Sequence, residues 1–179
     1  MDTISFDKLL LKTAFCCMAC DGHIDNKEID TIKTLCASSP LFIDFNFTAE
    51  INTLVTKLNE RGKEFISYYF ELLNSTSLSE QEELLLIDFA IKTINADEKI
   101  EYSEVKFFKV IRHHLKVSDE KILSIYPDIE SWLEQDIITN NYLDKIKDDY
   151  LKASSIPKFE QIQSLDKDLL DSINSEKTD

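Results

Sequence analysis

The chain has 179 residues, 43% of them apolar, with 2 glycines, 3 prolines and a formal net charge of -14 from 34 acidic and 20 basic residues. So few glycines leave little room for tight hairpins or phosphate-cradling loops, and the apolar share is ample for a real core, so the expected class is all-α. The acidity argues against nucleic acid, whose phosphates recruit clustered Lys and Arg, and against anionic membrane surfaces.

In chain order, Ser5 is placed to cap a first helix over 6–20, with Phe6, Leu10, Ala14 and Cys17 on its buried face. Asp25-Asn26-Lys27-Glu28 has capping-box form and opens a second helix, which carries Ile29, Ile32, Leu35 and Cys36 inward and stops before Ser38-Ser39-Pro40. The apolar connector 41–47 is too isolated to build a sheet and is expected to lie as a loop across the core. Thr48 begins a third helix with Ile51, Leu54, Val55 and Leu58 buried. Gly62 marks a break before a fourth helix bearing Phe65, Ile66, Tyr69, Phe70 and Leu73.

Ser79-Glu80-Gln81-Glu82 is a second capping box, opening the most apolar helix, 80–95, which is expected to be central. A sixth helix over 102–114 buries Val105, Phe108 and Ile111 or Leu115. Ser118 caps a short seventh that ends before Tyr126-Pro127. Beyond that proline the acidity rises, which divides the chain into a helical domain, 1–126, and a partly helical acidic extension, 127–179, with a frayed end.

Two stretches 76 positions apart share a pattern: Asp21-Gly22-His23-Ile24-Asp25-Asn26-Lys27-Glu28 and Asp97-Glu98-Lys99-Ile100-Glu101-Tyr102-Ser103-Glu104. Each copy ends a helix on an aspartate, turns, buries an isoleucine, and restarts with a glutamate seven residues on. The match extends through Leu10/Leu86, Leu11/Ile87, Ala14/Ala90, Ile32/Phe108, Lys33/Lys109 and Leu35/Ile111, so an internal helix-turn-helix repeat and a pseudo-two-fold bundle are expected.

These residues resemble the TerB family of tellurite-resistance-associated proteins, a likeness that spans about residues 5–125 and extends to the membrane-proximal domain of DjlA-type co-chaperones. The resemblance implies a compact bundle of about seven helices, a cytoplasmic location, and a stress-sensing or metal-binding role built on Asp21, Glu28, Asp97 and Glu104. Glu98 departs from the family's glycine, and Glu101 is a poor cap where Ser, Thr or Asp is usual. With no His-Pro-Asp tripeptide, the chain lacks the mark of a J domain.

Four carboxylates on one pole would suit a hard divalent cation, Ca²⁺ or Mg²⁺ in preference to Zn²⁺. Capping explains Glu28 and Glu104 without a metal, since a helix N-terminus favours negative charge. Asp21 and Asp97 fall at helix C-termini, where the dipole disfavours them, so either a cation or the backbone N–H groups of the turn must offset that. Seven residues from Asp to Glu are too few for an EF-hand loop. The cysteines Cys16, Cys17, Cys20 and Cys36 lack a paired C-x2-C and read as small core residues rather than zinc ligands, even with His23 nearby. His113-His114 reads as structural.

No di-iron E-x-x-H pair, phosphate loop or nucleophile elbow occurs, so the expected function is a non-enzymatic TerB-like scaffold or sensor. Two alternatives are a protein-interaction adaptor that docks partners through 132–151, and a carboxylate-metal hydrolase using the same four acids. A protein partner and a monomer or weak homodimer are expected. So is a cytoplasmic, non-integral protein: the apolar run 84–91 is short and broken by Asp88, and Met1-Asp2-Thr3-Ile4-Ser5 lacks a basic start.

Overall fold

The computed structural model describes residues 4–20, 22, 24, 26–96 and 100–134. Among them are eight α-helices and no strand: α1 Phe6–Ala19, α2 Asn26–Ala37, α3 Phe47–Arg61, α4 Lys63–Ser75, α5 Glu80–Ile94, α6 Tyr102–His113, α7 Asp119–Ile125 and α8 Glu130–Leu133. Single 3-10 turns at Pro40–Phe42 and Pro127–Ile129 join α2 to α3 and α7 to α8. The all-α class is therefore what the glycine-poor composition implies. Among the described residues no helix is long and apolar enough to cross a membrane.

The centre differs from expectation. Every residue of α1 from Leu9 to Ala19 is buried, including Lys12 and Thr13, and α2, α3, α4, α5 and α6 all pack against it. Its longest contact is with α5, which keeps Glu80, Gln81 and Lys92 in solvent. A helix apolar on one stripe sits at a surface, whereas one sheltered all round is the axis of the bundle, and here that axis is α1 rather than α5. Two polar side chains survive inside because each has a local outlet. Thr13 donates to the Leu9 carbonyl at 3.0 Å and accepts from the Tyr69 hydroxyl at 3.0 Å. Lys12 lays its stem through the core with its ammonium 5.1 Å from the Tyr68 ring centre and 5.8 Å from that of Phe65.

The local signals read from sequence set most of the boundaries. Ser79 accepts from Glu82 N–H at 3.3 Å while Glu82 Oε2 takes the Ser79 N–H at 2.8 Å, closing the capping box of α5. Ser118 caps α7 through Lys121 N–H at 3.3 Å. Gly62 ends α3 and starts α4 at φ 52 and ψ -118, a backbone that a Cβ would oppose. Ser5 sits at the N-cap of α1 with no side-chain bond to it, the turn being closed by Leu9 N–H on the Ser5 carbonyl at 3.0 Å. α3 begins at Phe47, one residue before Thr48, and Asn46 caps it, accepting from Ala49 N–H at 3.1 Å.

Long-range contacts fasten the helices. Glu83, buried on α5, accepts the N–H groups of Lys116 and Val117 at 2.8 and 2.7 Å and so pins the α6–α7 link. Arg112 bridges to Asp119 at 2.7 Å and to the Leu115 carbonyl at 3.1 Å, and the Tyr126 hydroxyl donates to Asp88. The helical packing continues beyond Pro127. Ile129 and Trp132 are buried, and the Trp132 ring stands edge-on to Phe108 with centres 5.3 Å apart. Trp132, which the adaptor reading enlisted for partner docking, is thus a core residue; 135–151, the rest of that segment, and 152–179 lie outside the described residues.

Candidate functional site

The candidate corners begin where α1 and α5 end. Glu28 stands in the first turn of α2 and Glu104 in the first turn of α6, and both helices pack on α1. Both carboxylates are buried, Glu28 at 8% exposure and Glu104 at 5%, an uncommon state for glutamate. Their charge bears on Cys17, in the last turn of α1. Burial, first, and then Cys16, Glu104 and Glu28 all push the Cys17 thiol well above its ordinary range. Glu28 and Glu104, 76 positions apart in sequence, thus both stand on helices that pack against α1.

Glu104 also does what the capping pattern requires: its Oε2 accepts the Glu101 N–H at 2.7 Å, and the Glu104 N–H reaches the Glu101 carbonyl at 3.1 Å. Glu101, unusual as an N-cap residue, thus stands in a capping box with Glu104 at the start of α6. Asp21 and Asp97, the remaining candidate ligands, lie outside the described residues, as do His23 and Asp25. Gly22 is described, and its φ of 90 is the left-handed conformation that a tight corner after α1 demands. Among the described residues no group of three His, Cys, Asp or Glu side chains is arranged to hold a metal ion.

Of the positions paired in sequence, Leu10 with Leu86, Leu11 with Ile87, Ala14 with Ala90 and Ile32 with Phe108 are buried in both copies, whereas Leu35 is only partly buried where Ile111 is fully so. The isoleucines of the two turns do not follow. Ile24 is partly buried against the core, but Ile100 is 45% exposed, contrary to the expected burial. It precedes Glu101, whose N–H is tied to Glu104, and this holds Ile100 off the inward stripe of α6.

All four cysteines are buried and free, as their reading as core residues expects. Burial lifts the Cys16 thiol far up against the partial opposition of Lys12, and moves Cys36 from 9.0 to about 12. Between those two values the unfolded chain releases the Cys36 proton while the folded chain keeps it. The unfolded state then binds fewer protons, so stability is fully present below pH 9.0 and declines as pH rises toward about 12. Urea midpoints are expected to fall through that window, by at most about 1.4 kcal/mol per pH unit for each thiol, and Cys36→Ala should flatten the fall. An equal fall in wild type and Cys36→Ala would remove this thiol from the account.

Sequence reasoning passed over Glu83 and Lys12. Glu83 lies three and four positions before the inward-facing Leu86 and Ile87, and Lys12 sits between the apolar Leu11 and the core residue Thr13. A charge on a buried stripe was the signal available for each. Comparison of the chain with protein-family models, with curated proteins and with solved structures finds no match.

Proposed function

We propose that the chain is a non-enzymatic TerB-like module, a scaffold or sensor of a stress response, whose acidic corners hold a hard divalent cation through Asp21, Glu28, Asp97 and Glu104. What supports this reading is that Glu28 and Glu104 are both buried in the first turns of two helices that pack on α1. Like charges removed from water repel, and burial penalises each of them, so such a pair calls for positive compensation. The N-terminal dipoles of α2 and α6 and the Glu101 N–H supply part of it. A Ca²⁺ or Mg²⁺ ion, ligated by oxygen alone, would supply more, with the two aspartates of the same turns completing the oxygen set.

The test is a thermal melt of metal-stripped protein with Ca²⁺, Mg²⁺, Mn²⁺ or Zn²⁺ added in turn. A cation held only by the folded state at a hundred times its dissociation constant adds about 2.7 kcal/mol, which raises the midpoint by roughly 5–15 °C. Ca²⁺ or Mg²⁺ should act and chelator should reverse the rise. Asp21→Asn combined with Asp97→Asn should abolish the response while leaving the metal-free midpoint within a few degrees. Identical midpoints with and without every cation would leave the glutamates as helix caps alone.

A further inference from the structure

The link between α2 and α3 exposes apolar surface that its own packing does not require. In a 3-10 turn of three residues only one side chain can point inward, and in Pro40–Phe42 it is Phe42, which is buried, stacks on Phe89 at 6.1 Å and meets Phe45 edge-on at 5.0 Å. Leu41 and Ile43 are turned outward at 43% and 80% exposure. Polar residues would serve the turn equally well at both positions. The backbone beneath is held by Phe42 N–H on the Ser39 carbonyl at 3.2 Å, Phe45 N–H on the Phe42 carbonyl at 3.2 Å and Phe47 N–H on the Phe45 carbonyl at 3.0 Å, so the surface is shaped in advance of any contact.

Leu41 and Ile43 line, with Pro40, Phe45, Asp7 and Asp44, a shallow groove between this turn and the start of α1. Among the described residues its charged walls are the two carboxylates, Asp7 and Asp44. Lys8, next in sequence to Asp7, is drawn to Glu50 at 2.6 Å. We propose that this groove docks a basic, apolar segment of a partner protein, seating one large apolar side chain on Leu41, Ile43 and Phe45 with Lys or Arg beside Asp7 and Asp44. Charge decides among occupants. A second copy would bring a molecule of net charge -14 onto two carboxylates, and residues 135–179 of this chain carry 10 acidic against 6 basic side chains. A cationic partner is attracted where both of these are repelled.

The experiment follows amide signals of the isotope-labelled full chain during titration with the amidated peptide Lys-Lys-Leu-Phe-Lys-Lys, with Glu-Glu-Leu-Phe-Glu-Glu as control. The lysine peptide should shift Leu41, Ile43, Asp44 and Phe45, weaken with added salt, and bind roughly tenfold or more weakly to Ile43→Ser. Asp44→Asn should weaken it about two- to fivefold, and the glutamate peptide should leave the signals in place. Ile43 is so exposed that its serine variant keeps the wild-type melting midpoint, and Leu41→Ser provides a second variant. Equal binding of both peptides, unchanged affinity in Ile43→Ser, or no shifts at millimolar peptide would overturn the proposal. So would a dimer in sedimentation that Ile43→Ser dissolves, which assigns the groove to a second copy. Movement of signals from 135–179 in peptide-free Ile43→Ser would assign it to the chain's own end and overturn the proposal as well.

Discussion

Phe15→Ala is expected to lower stability by about 3–5 kcal/mol, a large part of the 5–15 kcal/mol that holds a typical domain folded. Phe15 is fully buried in the third turn of α1 and meets Phe65 of α4 edge-on, with ring centres 6.0 Å apart. Truncation removes the transfer energy of the ring and the aromatic contact, and leaves a cavity in the axis of the bundle, where five neighbouring helices limit collapse. The melting midpoint should drop by on the order of 10–20 °C. Phe15→Leu keeps most of the volume and should cost about 1–1.5 kcal/mol. If α1 were a surface helix the alanine variant would lie within about 0.5 kcal/mol of wild type, so denaturant unfolding of both variants decides whether α1 is the axis.

Glu83→Ala is expected to cost about 2–4 kcal/mol, which is large for a residue that a composition count places on the surface. One oxygen, Oε2, accepts both the Lys116 and the Val117 N–H, and Val117 is itself buried. Alanine would leave two backbone donors without their acceptor in a site water reaches poorly. Glu83→Gln retains an oxygen there and forfeits only the charge assistance, so it should recover about half of the loss. Hydrogen exchange provides the local reading: protection at Lys116 and Val117 should collapse in the alanine variant and persist in the glutamine variant. Unchanged exchange at both amides in Glu83→Ala would contradict the clamp.

Several features that depend on chemistry within one turn were legible in the sequence, though the Ser5 side chain makes no cap bond to α1. The Ser79–Glu82 box, the Ser118 cap, the break at Gly62 and the stripe Ile51, Leu54, Val55 and Leu58 all stand as the residues imply. The central position of α1 was hidden because Lys12 and Thr13 carry polar labels that periodicity scores as solvent-facing. The outlets that let them stay inside, the Leu9 carbonyl and the rings of Phe65 and Tyr68, lie one turn back on the helix or on another helix altogether.

The candidate site divides in the same way. Glu28 and Glu104 were visible as a repeated pair, and the burial of both deepens interest in them. That both ride on helices packed against α1 was not visible, because no spacing within a single helix encodes how α2 and α6 lie. Ile100 was misplaced for a related reason. Its hydrophobicity suggested burial, but the bond from Glu101 to Glu104 fixes where α6 begins and leaves Ile100 one step outside.

An axial helix that precedes the helices packed on it also shapes biosynthesis. α1 is synthesised before the helices that wrap it, and α6, which also packs on it, follows on the order of 100 residues later, about 5–20 s at ordinary elongation rates. Throughout that interval its continuous greasy cylinder has only part of its wrapping, and a nascent polypeptide in that condition is a natural client for holdase chaperones. Substitutions along 9–19 would therefore be felt during synthesis as well as in the stability of the finished protein.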